Sequence, residues 1–92
     1  MFTLSIEHAI NDFPTWKQAF DRFADARRSA GVVSHRIRRP VDDRHYVVIE
    51  LEFDAKERAD NFRQFLHKVV WTNREDSPAL VGEPRTRILE VC

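Results

Sequence analysis

Cysteine occurs once in the 92 residues, as Cys92. A lone thiol cannot close an internal disulfide, so stability does not rest on oxidation, which suits a reducing cytoplasm. No histidine or carboxylate cluster flanks that terminal cysteine, which makes it inert rather than catalytic. Glycine occurs only twice. A glycine-rich phosphate loop is missing, as are a CxxC pair and a Ser/His/Asp set in recognisable context, which sets nucleotide-dependent and thiol redox chemistry aside. Charge of one sign is also missing, because 15 basic and 15 acidic side chains cancel. Nucleic acid and anionic membranes both demand a sustained basic surplus. The one basic run, Arg36, Arg38 and Arg39, is offset by Asp42 and Asp43. No apolar run approaches the ~18 residues of a membrane span. The opening "MFTLSIEHAI" has no basic leader and is interrupted by Glu7 and His8, unlike a signal peptide. The expectation is one cytoplasmic domain over residues 1–92, with no nucleic-acid or membrane partner.

What is present is bulky apolar material in periodic order. Hydrophobic residues make up 42% of the chain, with seven Phe and two Trp, enough for a two-layer core. Residues 2–10 alternate, with Phe2, Leu4, Ile6, His8 and Ile10 in one row, which predicts a strand. Asp12 is a candidate N-cap and Pro14 falls in a first turn. From there Phe13, Trp16, Phe20, Phe23, Ala24 and Arg27 follow helical spacing up to Gly31, predicting a helix over 13–30. Residues 32–39, "VVSHRIRR", give a second strand, and 40–44 supply turn chemistry. "RHYVVIELEF" over 44–53 alternates strictly and gives a third strand. Asp54 and Glu57 have capping-box spacing ahead of a second helix, whose apolar stripe runs from Ala55 to Val70. After Trp71 an irregular stretch holds Pro78, Gly82 and Pro84, and "RTRILEVC" reads as a short fourth strand.

The order β-α-β-β-α-β, with right-handed crossovers, predicts an α+β ferredoxin-like domain. Its antiparallel sheet is ordered 4-1-3-2, with both helices on one face. The helices must cover the apolar rows Phe2/Leu4/Ile6 and Val47/Ile49/Leu51/Phe53. The opposite face then carries Glu7, Arg36, Arg38, Tyr46, Val48, Glu50 and Glu52. Cross-strand pairing of those arginines and glutamates contributes about 0.2–1 kcal/mol per pair.

A βαββαβ chain of this length, with an aromatic first helix "DFPTWKQAFD", the strand "IELEFD" and "SPALVGEPRTRILE" at its end, resembles the dimeric α/β-barrel superfamily. That family includes antibiotic-biosynthesis-type monooxygenases, muconolactone-isomerase-like enzymes, small polyketide cyclases and many small bacterial proteins. The resemblance is architectural and covers the whole chain. It implies a homodimer whose sheets pack face to face, so that Glu7, Arg36, Arg38, Tyr46, Val48, Glu50 and Glu52 form the dimer interface. It also implies cofactor-independent oxygenation, cyclisation or isomerisation of a small hydrophobic or aromatic metabolite. The alternative is a non-catalytic dimer for ligand sensing or protein interaction.

Chemistry is expected at one edge of the sheet. The end of strand one (His8) and the start of strand three (His45) meet there, with His35 further down strand two. Strand parity turns all three towards the helices. Phe13 and Trp16 enter from the first helix, and Val69 and Trp71 from the end of the second. An apolar corner with a few imidazoles is the usual form of a small-molecule site, and the 72–83 loop is placed to cap it. His8 is the candidate acid or base, with Phe13, Trp16, His35, His45, Val69 and Trp71 as pocket. A structural histidine at a strand end is the competing reading. The imidazoles lack the spacing that presents metal ligands together, so no metal and no cofactor are expected. Trp16, Phe20 and Phe23 are expected in the core, and Arg27 lies in the same stripe, where it can extend along apolar surface towards the helix C-terminus.

Overall fold

A computed structural model describes residues 1–92. Strands β1 (Phe2–Ile10), β2 (Val32–Arg38), β3 (Tyr46–Phe53) and β4 (Leu80–Glu90) form one antiparallel sheet in the order β2-β3-β1-β4. This is the expected ferredoxin-like order, read from the other edge. Register is fixed by the apolar rows: Leu4 pairs with Leu51, Ile6 with Ile49 and His8 with Val47. A one-residue slip would turn both rows outwards. Leu4, Val47, Leu51 and Phe53 are fully buried under the helices, each such burial contributing about 1.5–3 kcal/mol.

The expected single helix over 13–30 is two helices, α1 (Phe13–Arg22) and α2 (Ala24–Ala30). Asp12 caps α1 as anticipated, its Oδ2 accepting the Thr15 amide at 3.0 Å. The break falls at Phe23, whose dihedrals (φ −95°, ψ 15°) leave the helical basin. Its amide turns back to the Phe20 carbonyl at 3.2 Å, and the Arg27 guanidinium donates to that same carbonyl. A side chain thus supports the carbonyl that the interruption frees, a cause that propensity does not register. Gly31 closes α2 in the left-handed region (φ 93°), as the spacing implied.

The second long helix departs from expectation at both ends. Its N-cap is Ala55, with no side-chain cap, and α3 spans Lys56–Phe65. Asp54 and Glu57 therefore form no capping box. Asp54 lies one residue too early and instead approaches Arg58 (3.8 Å). Beyond Phe65 the chain widens into a π-helical turn, Leu66–Val70. The fourth strand begins at Leu80 rather than near Arg85. Gly82 takes φ 72° at the point where pairing with β1 shifts between Glu7 and Ala9, the signature of a bulge. Pro84 is tolerated because β4 is an edge strand with a free side.

Candidate functional site

Between the sheet and the helices lies a hollow of about 80 Å³. Trp16, Phe20, Phe62, Phe65 and Trp71 provide much of its wall, and only His8, Arg27, Asp76 and Ser77 interrupt the apolar lining. Of the residues expected there, His8, Trp16 and Trp71 line it; Phe13, His35, His45 and Val69 do not. Each displacement has a local cause. Phe13 lies tilted against Trp16 (centroids 5.8 Å, planes 36° apart), with the Arg39 guanidinium over its ring. His35 is on the helix-facing side of β2, but β2 is an edge strand, and the ring is exposed with its edge against Phe20 (5.2 Å). His45 precedes β3 and is exposed; only its backbone is engaged, accepting from Ile10 and donating to Asp43. The π turn rotates Val69 out to solvent and Val70 inwards, a phase shift that a 3.6-residue period cannot anticipate.

His8 occupies an inward position of the central strand, only 4% exposed. Its Nδ1 lies 2.9 Å from the Ala9 carbonyl. A carbonyl only accepts, so Nδ1 carries the proton and Nε2 holds the basic lone pair. Nε2 has no protein partner, and every side-chain nitrogen or oxygen sealed from solvent has one. Nε2 is therefore accessible, and the hollow is the space His8 borders. Burial, opposed in part by the Ala9 hydrogen bond, holds the imidazole below its ordinary pKa. A neutral ring with a free basic nitrogen in apolar surroundings is suited to accept a proton. Trp16 meets it edge-on at 6.4 Å.

Arg27 is the other buried titratable group, 7% exposed, with its guanidinium carbon 3.6 Å from the Phe20 ring centroid. Its position in the aromatic stripe was legible, its place in the wall was not. Asp76 and Ser77 were missed, because they lie in a loop with no periodicity. That loop is tied down by Arg22 to the Glu75 carbonyl (3.0 Å), by Ser77 Oγ to the Val70 carbonyl (3.0 Å) and by Asn11 to the Ala79 carbonyl (3.0 Å). No three His, Cys, Asp or Glu side chains converge as a metal site would require, and no helix is long and apolar enough to cross a membrane.

The far face of the sheet carries Glu7, Arg36, Arg38, Tyr46, Val48, Glu50 and Glu52 together, as register dictates. Glu50 opposes Arg36 and is bonded by Arg38 at 2.6 Å. Tyr46 donates to Glu7 at 2.8 Å, a bond that raises the phenol pKa. The long β4 adds Arg85 opposite Glu7 and Arg87 opposite Ser5. Acids on the two central strands are thus flanked by arginines on both edge strands.

No protein-family model matches the chain, and no curated protein matches it. Solved structures do. A protein from Nitrosomonas europaea described as an antibiotic biosynthesis monooxygenase superposes with a TM-score of 0.72 at 15% identity, covering 99% of this chain and 98% of that one. A second antibiotic biosynthesis monooxygenase gives 0.71 at 8% identity, over 100% and 99% of the two chains. A dimeric ferredoxin-like protein from an uncultured marine organism gives 0.65 at 13% identity, over 98% and 94%. Full-length coverage at such low identity establishes the fold, and the fold is the one the sequence resembles.

Proposed function

We propose that the chain is a homodimer whose sheets pack face to face, each subunit holding a small-molecule site in which His8 takes a proton from a hydrophobic or aromatic metabolite. No bound cofactor is needed for that step. The observation that carries the reading is the His8 imidazole, buried, held in one tautomer by the Ala9 carbonyl and left with Nε2 free beside the hollow. Deprotonation of an acidic C–H or O–H group opens cofactor-independent oxygenation, cyclisation and isomerisation alike, so the geometry supports the shared first step. The assembly and the monooxygenase chemistry named for the structural neighbours support the same reading.

Size favours a second reading. About 80 Å³ is roughly half the ~150 Å³ cavity that accommodates benzene. An aromatic ring therefore enters only if Trp71 and the adjoining π turn give way. If they do not, the dimer surface itself is the function. Titration with phenol, followed by NMR of the His8 ring and the Trp16 and Trp71 indoles, separates the two. Movement of all three signals together supports the site, with His8→Ala losing the response while keeping the dimer mass. Silent indoles up to millimolar phenol overturn it.

A further inference from the structure

We infer that the metabolite is an anion: the hollow takes a small apolar carboxylate whose charged end is received by Arg27. This rests on the ligand-site reading above and adds the charge of the ligand to it.

Buried arginines are normally matched by a carboxylate, because an unmatched cation away from water is costly. Arg27 has no such match. No carboxylate lies within ion-pair distance, and the acid whose charge it feels, Asp21, is engaged by Lys17 at 2.7 and 3.0 Å. Asp76 also borders the hollow but forms no ion pair with Arg27. Of the five guanidinium N–H donors, the protein uses only one nitrogen, Nη1 to the Phe20 carbonyl. The remaining nitrogens are not sealed, since no sealed side-chain nitrogen lacks a partner. The guanidinium is immobilised on the Phe20 ring rather than extended into solvent, so its open donors are held in place.

A role in stabilising the end of α2 does not explain this. Arg27 is in the last turn, where a cation favours the helix dipole, yet its guanidinium bonds back to Phe20, on the preceding helix. The His8–Trp16–Phe20–Arg27 contacts form a continuous wall with a proton acceptor at one end and a cation at the other. The cation orients a carboxylate and the apolar wall holds its body. The far end of the ligand is then presented to His8 Nε2.

Both tryptophans of the chain line the hollow, so intrinsic fluorescence reports occupancy without a label. The probes are two charge pairs of matched shape, benzoate with benzamide and butanoate with butanamide, the smaller pair allowing for the limited volume. The native protein is expected to bind the acid at least tenfold more tightly than the amide in one pair or both, as charge-assisted hydrogen bonds to a carboxylate imply. Arg27→Met lowers acid affinity more than amide affinity, so that the acid-to-amide ratio falls towards one, and Arg27→Lys keeps part of the preference. If acid and amide bind the native protein equally, the hollow remains a ligand site and the charge inference alone is overturned. If no probe binds, the ligand site and the inference fall together. Should Arg27→Met not fold, the native acid-to-amide ratio still decides.

Discussion

At the scale of single residues, His8 and Arg27 show where a sequence speaks and where it stops. His8 stands in an apolar row between Ile6 and Ile10, so its burial was legible from alternation alone. Its tautomer depends on the Ala9 carbonyl, a backbone detail that no pattern carries. His45 and His35 share the parity argument but fail on place: one precedes its strand, the other is on an edge. Arg27 fell in the right stripe, and only the break at Phe23 turns it back onto Phe20. Burial gives His8 a testable pH signature. Its folded pKa is lowered, so between that value and the ordinary ~6.5 the unfolded chain binds more protons. Stability is therefore full above about pH 6.5 and declines as the pH falls towards the folded value. His35 shifts in the same direction, through partial burial first and the Arg27 charge next, and adds to the slope. Urea midpoints at pH 7.5 and 5.5 are expected to differ in the native protein. The difference should shrink in His8→Leu and vanish when His35→Gln is added. A slope untouched by His8→Leu would show that the buried imidazole is not its source.

At the scale of elements, strands and the caps at Asp12 and Gly31 were readable because each rests on local chemistry. The misjudged boundaries rest on contacts made elsewhere. Strand β4 keeps Gly82 and Pro84 because it pairs on one side only, and the end of α3 widens where Val70 and Trp71 must both face the hollow. Gly31 tests the local kind of argument. Its φ of 93° disfavours any side chain, and an added Cβ would meet the Arg58 guanidinium at 2.6 Å. Arg58 is 56% exposed and can withdraw, so the dihedral decides the cost. Gly31→Ala should destabilise by roughly 1–2 kcal/mol, which is about 4–16 °C in Tm for a domain of this size. Gly31→Asn should cost less, because asparagine tolerates the left-handed region. Equal losses in thermal melts would move the blame from the dihedral to the Arg58 contact. The π turn answers to a different measurement. Hydrogen exchange at Leu66–Trp71 should be faster than at Lys56–Phe65 if this turn opens to admit a ligand, and equal protection would leave the hollow closed at its resting 80 Å³.

At the scale of the whole molecule, the charged face asks what it meets. The sequence placed seven of its residues on one side by parity, and could not place Arg85 and Arg87, because the start of β4 was misread. Their addition changes the argument. A face with acids on β1 and β3 between arginines on β2 and β4 is complementary to itself. A two-fold axis lying between the two sheets, parallel to the strands and set off-centre, would lay the acidic strip of one copy against an arginine edge of the other. Small side chains at Thr3, Ser5 and Ala9 lower the central strand, so the long side chains beside it can interdigitate. Exposed Val81 and Leu89 add apolar area to the β4 flank. Glu50→Arg places a third cation beside Arg36 and Arg38 within the subunit, and repels the same edge of a partner. Loss of the Arg38 bond alone is a surface ion pair, worth about 0–1 kcal/mol to the monomer, so the fold should survive. Sedimentation equilibrium should give twice 10.9 kDa for the native chain at micromolar concentration and the single mass for Glu50→Arg. Combining it with Arg36→Glu and Arg38→Glu restores opposite signs and should recover the dimer. A native chain that sediments at the single mass removes the partner, and the acids and arginines then pair only with one another and with water.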